Sequence, residues 1–195
     1  MISYIWTKDL YVHTTPITQE IYTEVLGKNP SVFQGDEMRP VENISWEEAI
    51  DFCNAYSEEC QLAPVYFRTK KGVVKWDRKK VGYRLPTLVE WKYLARAGES
   101  TKFSGSSSLN KVGWYFDNSG GATASVAQKS PNAFGLYDMS GNVAEWCWDG
   151  PEEGKKYALG GSWAQSADEC MRSAHGTRYA HVPSSMVGLR VLRNI

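Results

Sequence analysis

Leu159-Gly160-Gly161-Ser162-Trp163 and, beyond the 23 residues from Ala164 to Met186, Gly188-Leu189-Arg190-Val191 are the stretches on which the reading of this chain turns. Both ends carry the marks of rigid framework: glycines, a tryptophan that reads as buried, then an apolar strand. The residues between them are small, polar and aromatic, with no helical or strand period. A tight frame around an irregular polar-aromatic insert has the form of a binding loop or an active-site loop. Which of the two it is decides the function.

Around this frame the composition narrows the field. The 195 residues suit one large domain or two small ones, and one core can be well buried at this size. Lysine plus arginine equals aspartate plus glutamate at 22 each, so no net charge recruits nucleic acid or an anionic membrane. Eight tryptophans and eleven tyrosines exceed what a plain core needs and suggest a loop-rich fold or a contact surface paved with rings. No apolar run is long enough to span a bilayer, and no signal-peptide core follows Met1. Either the protein is cytoplasmic or this is the mature part of something longer, with a cell-surface or exported location expected if a leader precedes this sequence. Cys53, Cys60, Cys147 and Cys170 form no CxxC pair and read as buried free thiols, with a single bridge as the other reading.

Upstream of the frame, the elements announce themselves by their caps. Tyr4–His13 reads as an opening strand or a pair of short ones, carrying Ile5, Trp6, Leu10 and Val12. Thr18 starts a helix with Ile21, Tyr22, Val25 and Leu26 on one face, closed by Gly27. Ser45-Trp46-Glu47-Glu48 is a capping box, and Ala49, Ile50, Cys53 and Tyr56 follow at helical spacing. Glu47 and Glu48 are adjacent, point about 100° apart and favour the helix dipole rather than a shared substrate. Val65–Thr69 and Val73–Trp76, joined across Lys70-Lys71-Gly72, read as a β-hairpin whose basic tip is a solvated turn. Thr87-x-x-Glu90 is a second capping box, with Leu88, Trp91, Leu94 and Ala95 as the apolar face and Gly98 as the end. Gly98 to Gly135 is mostly irregular, with short strands expected at Val112–Phe116 and Val126–Gln128, and with Trp114, Tyr115 and Phe116 needing burial. One α+β domain with much loop, covering 1–195, is the expectation from the residues alone.

Ordered blocks then reveal a resemblance. Val41-x-x-Ile44-Ser45-Trp46-Glu47-Glu48-Ala49, Tyr83-Arg84-Leu85-Pro86-Thr87-x-x-Glu90-Trp91, Asn132-Ala133-Phe134-Gly135-Leu136-Tyr137-Asp138-Met139-Ser140-Gly141-Asn142-Val143-Ala144-Glu145-Trp146, Gly160-Gly161-Ser162-Trp163 and Gly188-Leu189-Arg190 resemble the formylglycine-generating-enzyme (sulfatase-modifying factor) superfamily. They follow the family's order across nearly the whole chain. The resemblance implies a variant of the C-type-lectin fold: two main helices, a small twisted antiparallel sheet and long loops. It also brings an enzymatic alternative, a metal- and oxygen-dependent enzyme of the formylglycine-generating or sulfoxide-synthase kind. The formylglycine-generating members use two cysteines after Gly-Gly-Ser-aromatic to bind copper. Only Cys170 lies in that region here, and one thiolate cannot supply paired soft ligands. The sulfoxide synthases need a histidine cluster, whereas this chain has His13, His175 and His181, the last two six apart in the insert. No serine-histidine-acid arrangement can be argued. No catalytic residue is assigned.

The insert itself resembles the diversified surface of the variable proteins of diversity-generating retroelements, which use this fold. Family anchors persist at Ala167, Cys170, Arg172-Ser173-Ala174, Arg178 and Pro183, while asparagine, retained at Asn110, Asn118, Asn132 and Asn142, is absent from the insert. Targeted adenine mutagenesis would remove asparagine in this way, because its codons begin with two adenines; ordinary drift in an inactive member is the bland alternative. A tyrosine, serine, glycine, histidine and methionine mixture on a fixed frame is also paratope-like. The expected ligand-binding positions are Ala164, Gln165, Ser166, Asp168, Glu169, Met171, His175, Gly176, Thr177, Tyr179, His181, Ser184, Ser185 and Met186, within an insert bounded at 164–186. The expected partner is a protein or other macromolecule, with no nucleic acid and no direct membrane span; a purely structural domain of a larger surface protein is the third reading. No cofactor is assigned except calcium, for which the resemblance to calcium-binding members implies Asp138, Gly141, Val143 and Glu145, all oxygen donors. The other reading is that Asp138 and Glu145 brace the loop through backbone amides.

Overall fold

The structure, a computed structural model, describes residues 4–7 and 10–195, with side chains from residue 10 onward. Strands β1 (Tyr4–Thr7) and β2 (Leu10–His13) pair antiparallel, as the opening alternation predicts. The Lys8-Asp9 link, the side chains of Ile5 and Trp6, and Met1, where the leader expectation falls, lie outside the described residues.

Three helices follow the capping signals closely. Helix α1 (Gln19–Leu26) begins where the Thr18 hydroxyl accepts the Ile21 amide and ends at Gly27 in the left-handed conformation. Helix α2 (Trp46–Glu59) and helix α3 (Leu88–Arg96) both open with complete capping boxes, Ser45 with Glu48 and Thr87 with Glu90. The left-handed stop of α3 falls on Ala97, one residue before the predicted Gly98. Strands β3 (Tyr66–Arg68) and β4 (Val74–Trp76) form the predicted hairpin, with Phe67 opposite Lys75.

The irregular middle departs from expectation. Val112 ends a single helical turn, α4 (Leu109–Val112), and neither predicted strand forms. Tyr115 is buried as required, but Phe116 is 71% exposed. Asparagine, serine and glycine in this stretch satisfy the backbone through side chains instead of ladders: Asn118 accepts the Tyr115 amide, and Asn142 exchanges two hydrogen bonds with Ala124.

The remaining strands are β5 (Ala144–Trp146), β6 (Lys155–Leu159), β7 (Thr177–Tyr179), β8 (Val187–Gly188) and β9 (Leu192–Asn194). The expected small antiparallel sheet takes the form of three small sheets, β1-β2-β9, β3-β4 and β7-β6-β5-β8, antiparallel but for the β5–β8 pair, which is parallel. A parallel pair needs a long crossover, and the insert supplies it. The segment from β8 to β9 is the spine of the domain. Its carbonyls accept from Ile17 at Leu189, from His13 at Val191 and from Arg84 at Leu192. The largest apolar cluster joins α1, α2 and the spine through Tyr22, Ile44, Phe52, Leu85, Trp146 and Leu189. A second cluster packs α3 on β6 through Trp91, Leu94 and Leu159. Cys53, Cys147 and Cys170 are buried free thiols, whereas Cys60, expected buried, is exposed at the end of α2.

Candidate functional site: the insert and its frame

The insert is anchored through its backbone. Trp46 N–H donates to Ala180 O at 2.9 Å, Asn43 N–H to Ser184 O at 2.9 Å and Ala144 N–H to Met186 O at 2.9 Å. Thr177–Tyr179 pairs with Lys155–Tyr157 as the edge strand β7, and Ala158 N–H donates to Gly176 O at 3.0 Å. Main-chain hydrogen bonds of this kind are indifferent to which side chain a residue carries, except at Gly176, where a Cβ would fall 2.2 Å from Ala158 O. That is the physical requirement for a surface whose side chains vary.

At the entrance, the frame is built by close contact. Gly161 lies at φ +71, and a Cβ there would fall 2.5 Å from the Cys170 sulfur, so glycine and a small buried residue are required together. Burial pushes the Cys170 thiol up to about 12, with its Sγ 3.9 Å from Ser162 O. Together with Phe103, Leu109, Val112 and Tyr115 it forms a third apolar cluster under the first half of the insert. Trp163 is half-buried, not the fully buried ring that was expected. Its indole donates to Ser185 O at 2.9 Å, tying the insert's two ends, and Phe33 packs edge-on against it at 5.0 Å.

None of the fourteen predicted ligand-binding positions is buried. Ser166, Asp168, Glu169, His175, Thr177, Tyr179 and His181 are exposed, and the other seven are intermediate. Met171 and Met186 lean on apolar clusters beneath them and so double as support. A concavity of about 210 Å³ lies among Gly160, Gly161, Gln165, Glu169, His175 and Arg178. Its floor is polar: Glu169 accepts from Gln165, from the Ser166 amide and from the Ser166 hydroxyl, and these bonds hold its carboxyl below the usual range. Two contributors lie outside the insert and were not predicted. Lys92 on α3 touches the His175 ring at 2.5 Å, and exposed Phe116 donates its amide to Gln165 O. The aromatic run at 114–116 was the signal for Phe116, but it was read as core.

Of the residues implied for calcium, Glu145 is already engaged by a protein cation. Glu145 and Arg190 are both 1% exposed and form a buried ion pair at 2.8 Å. Both Glu145 oxygens accept from the guanidinium, and the Trp91 indole donates to the same carboxylate at 2.7 Å. The cation this carboxylate serves is already an arginine. Asp138 accepts the Ala127 amide at 2.8 Å, as the bracing alternative expects, and its other oxygen is buried. Burial raises its acid to about 6. Gly141 and Val143 belong to the same tightly packed loop, with the Gly141 amide donating to Gly160 O and Val143 fully buried. Among the described residues, no group of three or more His, Cys, Asp or Glu side chains could hold a metal ion.

A three-part sheet braced by capped helices, carrying a long backbone-anchored crossover, defines an α+β protein of the C-type-lectin kind. A family model for the sulfatase-modifying factor enzyme 1-like domain matches residues 3–195, and the chain belongs to that family. Among solved structures, Treponema denticola variable protein 1 superposes with a TM-score of 0.91 at 31% identity, covering 100% of this chain and 92% of that one. The Chaperone protein LppX of Paenibacillus barcinonensis is 34% identical over 95% of this chain and 80% of its own length. The formylglycine-generating enzyme of Mus musculus is 27% identical over 75% of this chain, which spans only 41% of that enzyme.

Proposed function

We propose that this protein is a non-enzymatic binding protein whose recognition surface is the Ala164–Met186 insert. The carrying observation is the separation of roles along that segment. Its backbone is fixed by main-chain hydrogen bonds to β5, β6 and α2, while the side chains at thirteen of the fourteen candidate positions stay accessible; the other, Gly176, has none and no room for one. Similarity to a variable protein supports reading those side chains as diversified. The relative called a chaperone suits a protein ligand, and an array of exposed polar and aromatic side chains suits a macromolecular partner.

The enzymatic alternative asks for a reactive thiolate pair. Cys170 is protonated by its surroundings, and it has no second cysteine in the insert. A library randomised at Gln165, Ser166, Asp168, His175, Thr177, Tyr179 and His181, selected against unrelated proteins, is expected to yield folded binders of different specificity. Folded variants that never acquire new ligands would overturn the reading. So would stoichiometric copper or iron in the purified protein, lost on Cys170→Ala or His175→Ala. In the neighbouring DNA, a near-copy of the segment encoding 164–186 that differs only at adenines, beside a reverse transcriptase, is the genetic counterpart.

A further inference from the structure

The chain is neutral overall, but its charge is segregated. Between Arg68 and Lys80 there are seven basic residues and one acid, Asp77, which leaves fifteen basic against twenty-one acidic residues elsewhere. The two arginines of that stretch are engaged: Arg68 pairs with Asp51 at 2.8 Å and Arg78 lies over the Trp76 ring. Lys70, Lys71, Lys75, Lys79 and Lys80 are exposed and make no ion pair among the described residues.

The register of the hairpin adds a second, independent observation. Tyr66 and Trp76 face inward and pack on Trp148. The alternation of a strand therefore sends Phe67 and its partner Lys75, then Thr69 and Val73, to the outer face. Phe67 and Val73 are each 50% exposed there, with Lys75 opposite Phe67 and Lys70 and Lys71 in the turn. A plain solvated turn has no use for a phenylalanine on its wet face.

We propose that the β3–β4 hairpin docks this protein onto an anionic lipid surface, with Phe67 and Val73 entering the headgroup layer and the lysines contacting lipid phosphates. Lysine suits this task because its aliphatic stem lies along apolar material while the ammonium reaches the headgroups. Nucleic acid would call instead for free arginine forks and a groove of stacking rings, and here the arginines are engaged and the inner rings are covered. No residue of the hairpin belongs to the insert.

Co-sedimentation of the whole protein with phosphatidylcholine vesicles, with or without phosphatidylglycerol, tests the proposal. Binding is expected only to the anionic vesicles and should weaken as salt is raised. Each lysine near such a surface contributes roughly fivefold, so K70Q/K71Q/K75Q should lower partitioning on the order of 100-fold. F67S/V73S should lower it about tenfold while keeping the salt dependence. All five positions are solvent-facing, and an unchanged melting transition certifies the fold of each variant. Absence of binding to anionic vesicles overturns the proposal, as does a lysine variant that binds like the parent. Retention on duplex DNA at the same salt, without vesicle binding, would assign the hairpin to nucleic acid instead.

Discussion

At the scale of single residues, two buried groups with opposed titrations set a testable pH response. His13 is lowered by burial from 6.5 to about 4, so its share of stability is complete above pH 6.5 and is lost as the pH falls toward 4. Asp138 is raised by burial from 3.8 to about 6, so its share is complete below pH 3.8 and is lost as the pH rises through 6. Between pH 4 and 6 the two slopes oppose one another. Asparagine tolerates the Asp138 φ of 56 and keeps an acceptor for the Ala127 amide. Unfolding midpoints for Asp138→Asn and the parent should therefore diverge in the variant's favour from pH 4 to 6, by on the order of 3 kcal/mol. Parallel curves would show that Asp138 is not raised. Glycine at the frame gives a second contrast. Gly27 and Gly161 have similar positive φ, but an added Cβ meets nothing at Gly27 and the Cys170 sulfur at Gly161. Gly27→Ala should cost about 1 kcal/mol for the backbone alone, and Gly161→Ala about 1–3 kcal/mol more from overpacking. Equal losses in chemical denaturation would mean that the insert yields freely at its entrance.

Among elements, the two capping boxes look alike in sequence and differ in what their glutamates also do. Glu48 caps α2 and also meets Lys28, at 3.8 Å on the surface. Glu90 caps α3 and also receives both arms of the buried Arg84 guanidinium, at 2.8 and 2.7 Å. Glu48→Ala is thus expected to cost about 1 kcal/mol and Glu90→Ala about 3 kcal/mol, because the second leaves a buried cation without its carboxylate. Comparable midpoints for the two variants would refute that difference. The helices were legible because caps are local: Thr18, Ser45 and Thr87 each act within one turn. Strand β7 was not legible, because Thr177-Arg178-Tyr179 has no apolar alternation and is extended only by pairing with Lys155–Tyr157. The same holds for the parallel β5–β8 pair, which depends on where a 23-residue insert returns the chain. Likewise, Asp138 and Glu145 were visible as paired carboxyls, but the occupant of Glu145 was not, since Arg190 lies 45 residues away and enters from the spine.

For the whole molecule, the question is whether a recognition surface can change without changing the fold beneath it. The clusters that hold α1, α2, α3 and the spine contain none of the exposed insert positions. Polar contacts from those positions are on the surface: Asp168 meets Lys102 at 3.4 Å with both side chains largely in water, a pairing that contributes little. Simultaneous substitution of Ser166, Asp168, His175, Thr177, Tyr179 and His181 should therefore shift unfolding free energy by no more than about 1–2 kcal/mol and leave one cooperative transition. Met186 is different, because it leans on the main core while belonging by position to the insert. Met186→Ser should cost on the order of 2 kcal/mol by opening a gap and wetting part of the core. A chain in which Tyr179→Ser alone is as damaging as Met186→Ser would have an insert whose side chains hold the fold. Such a surface could not be diversified, and recognition by variable side chains would have to be abandoned for this protein.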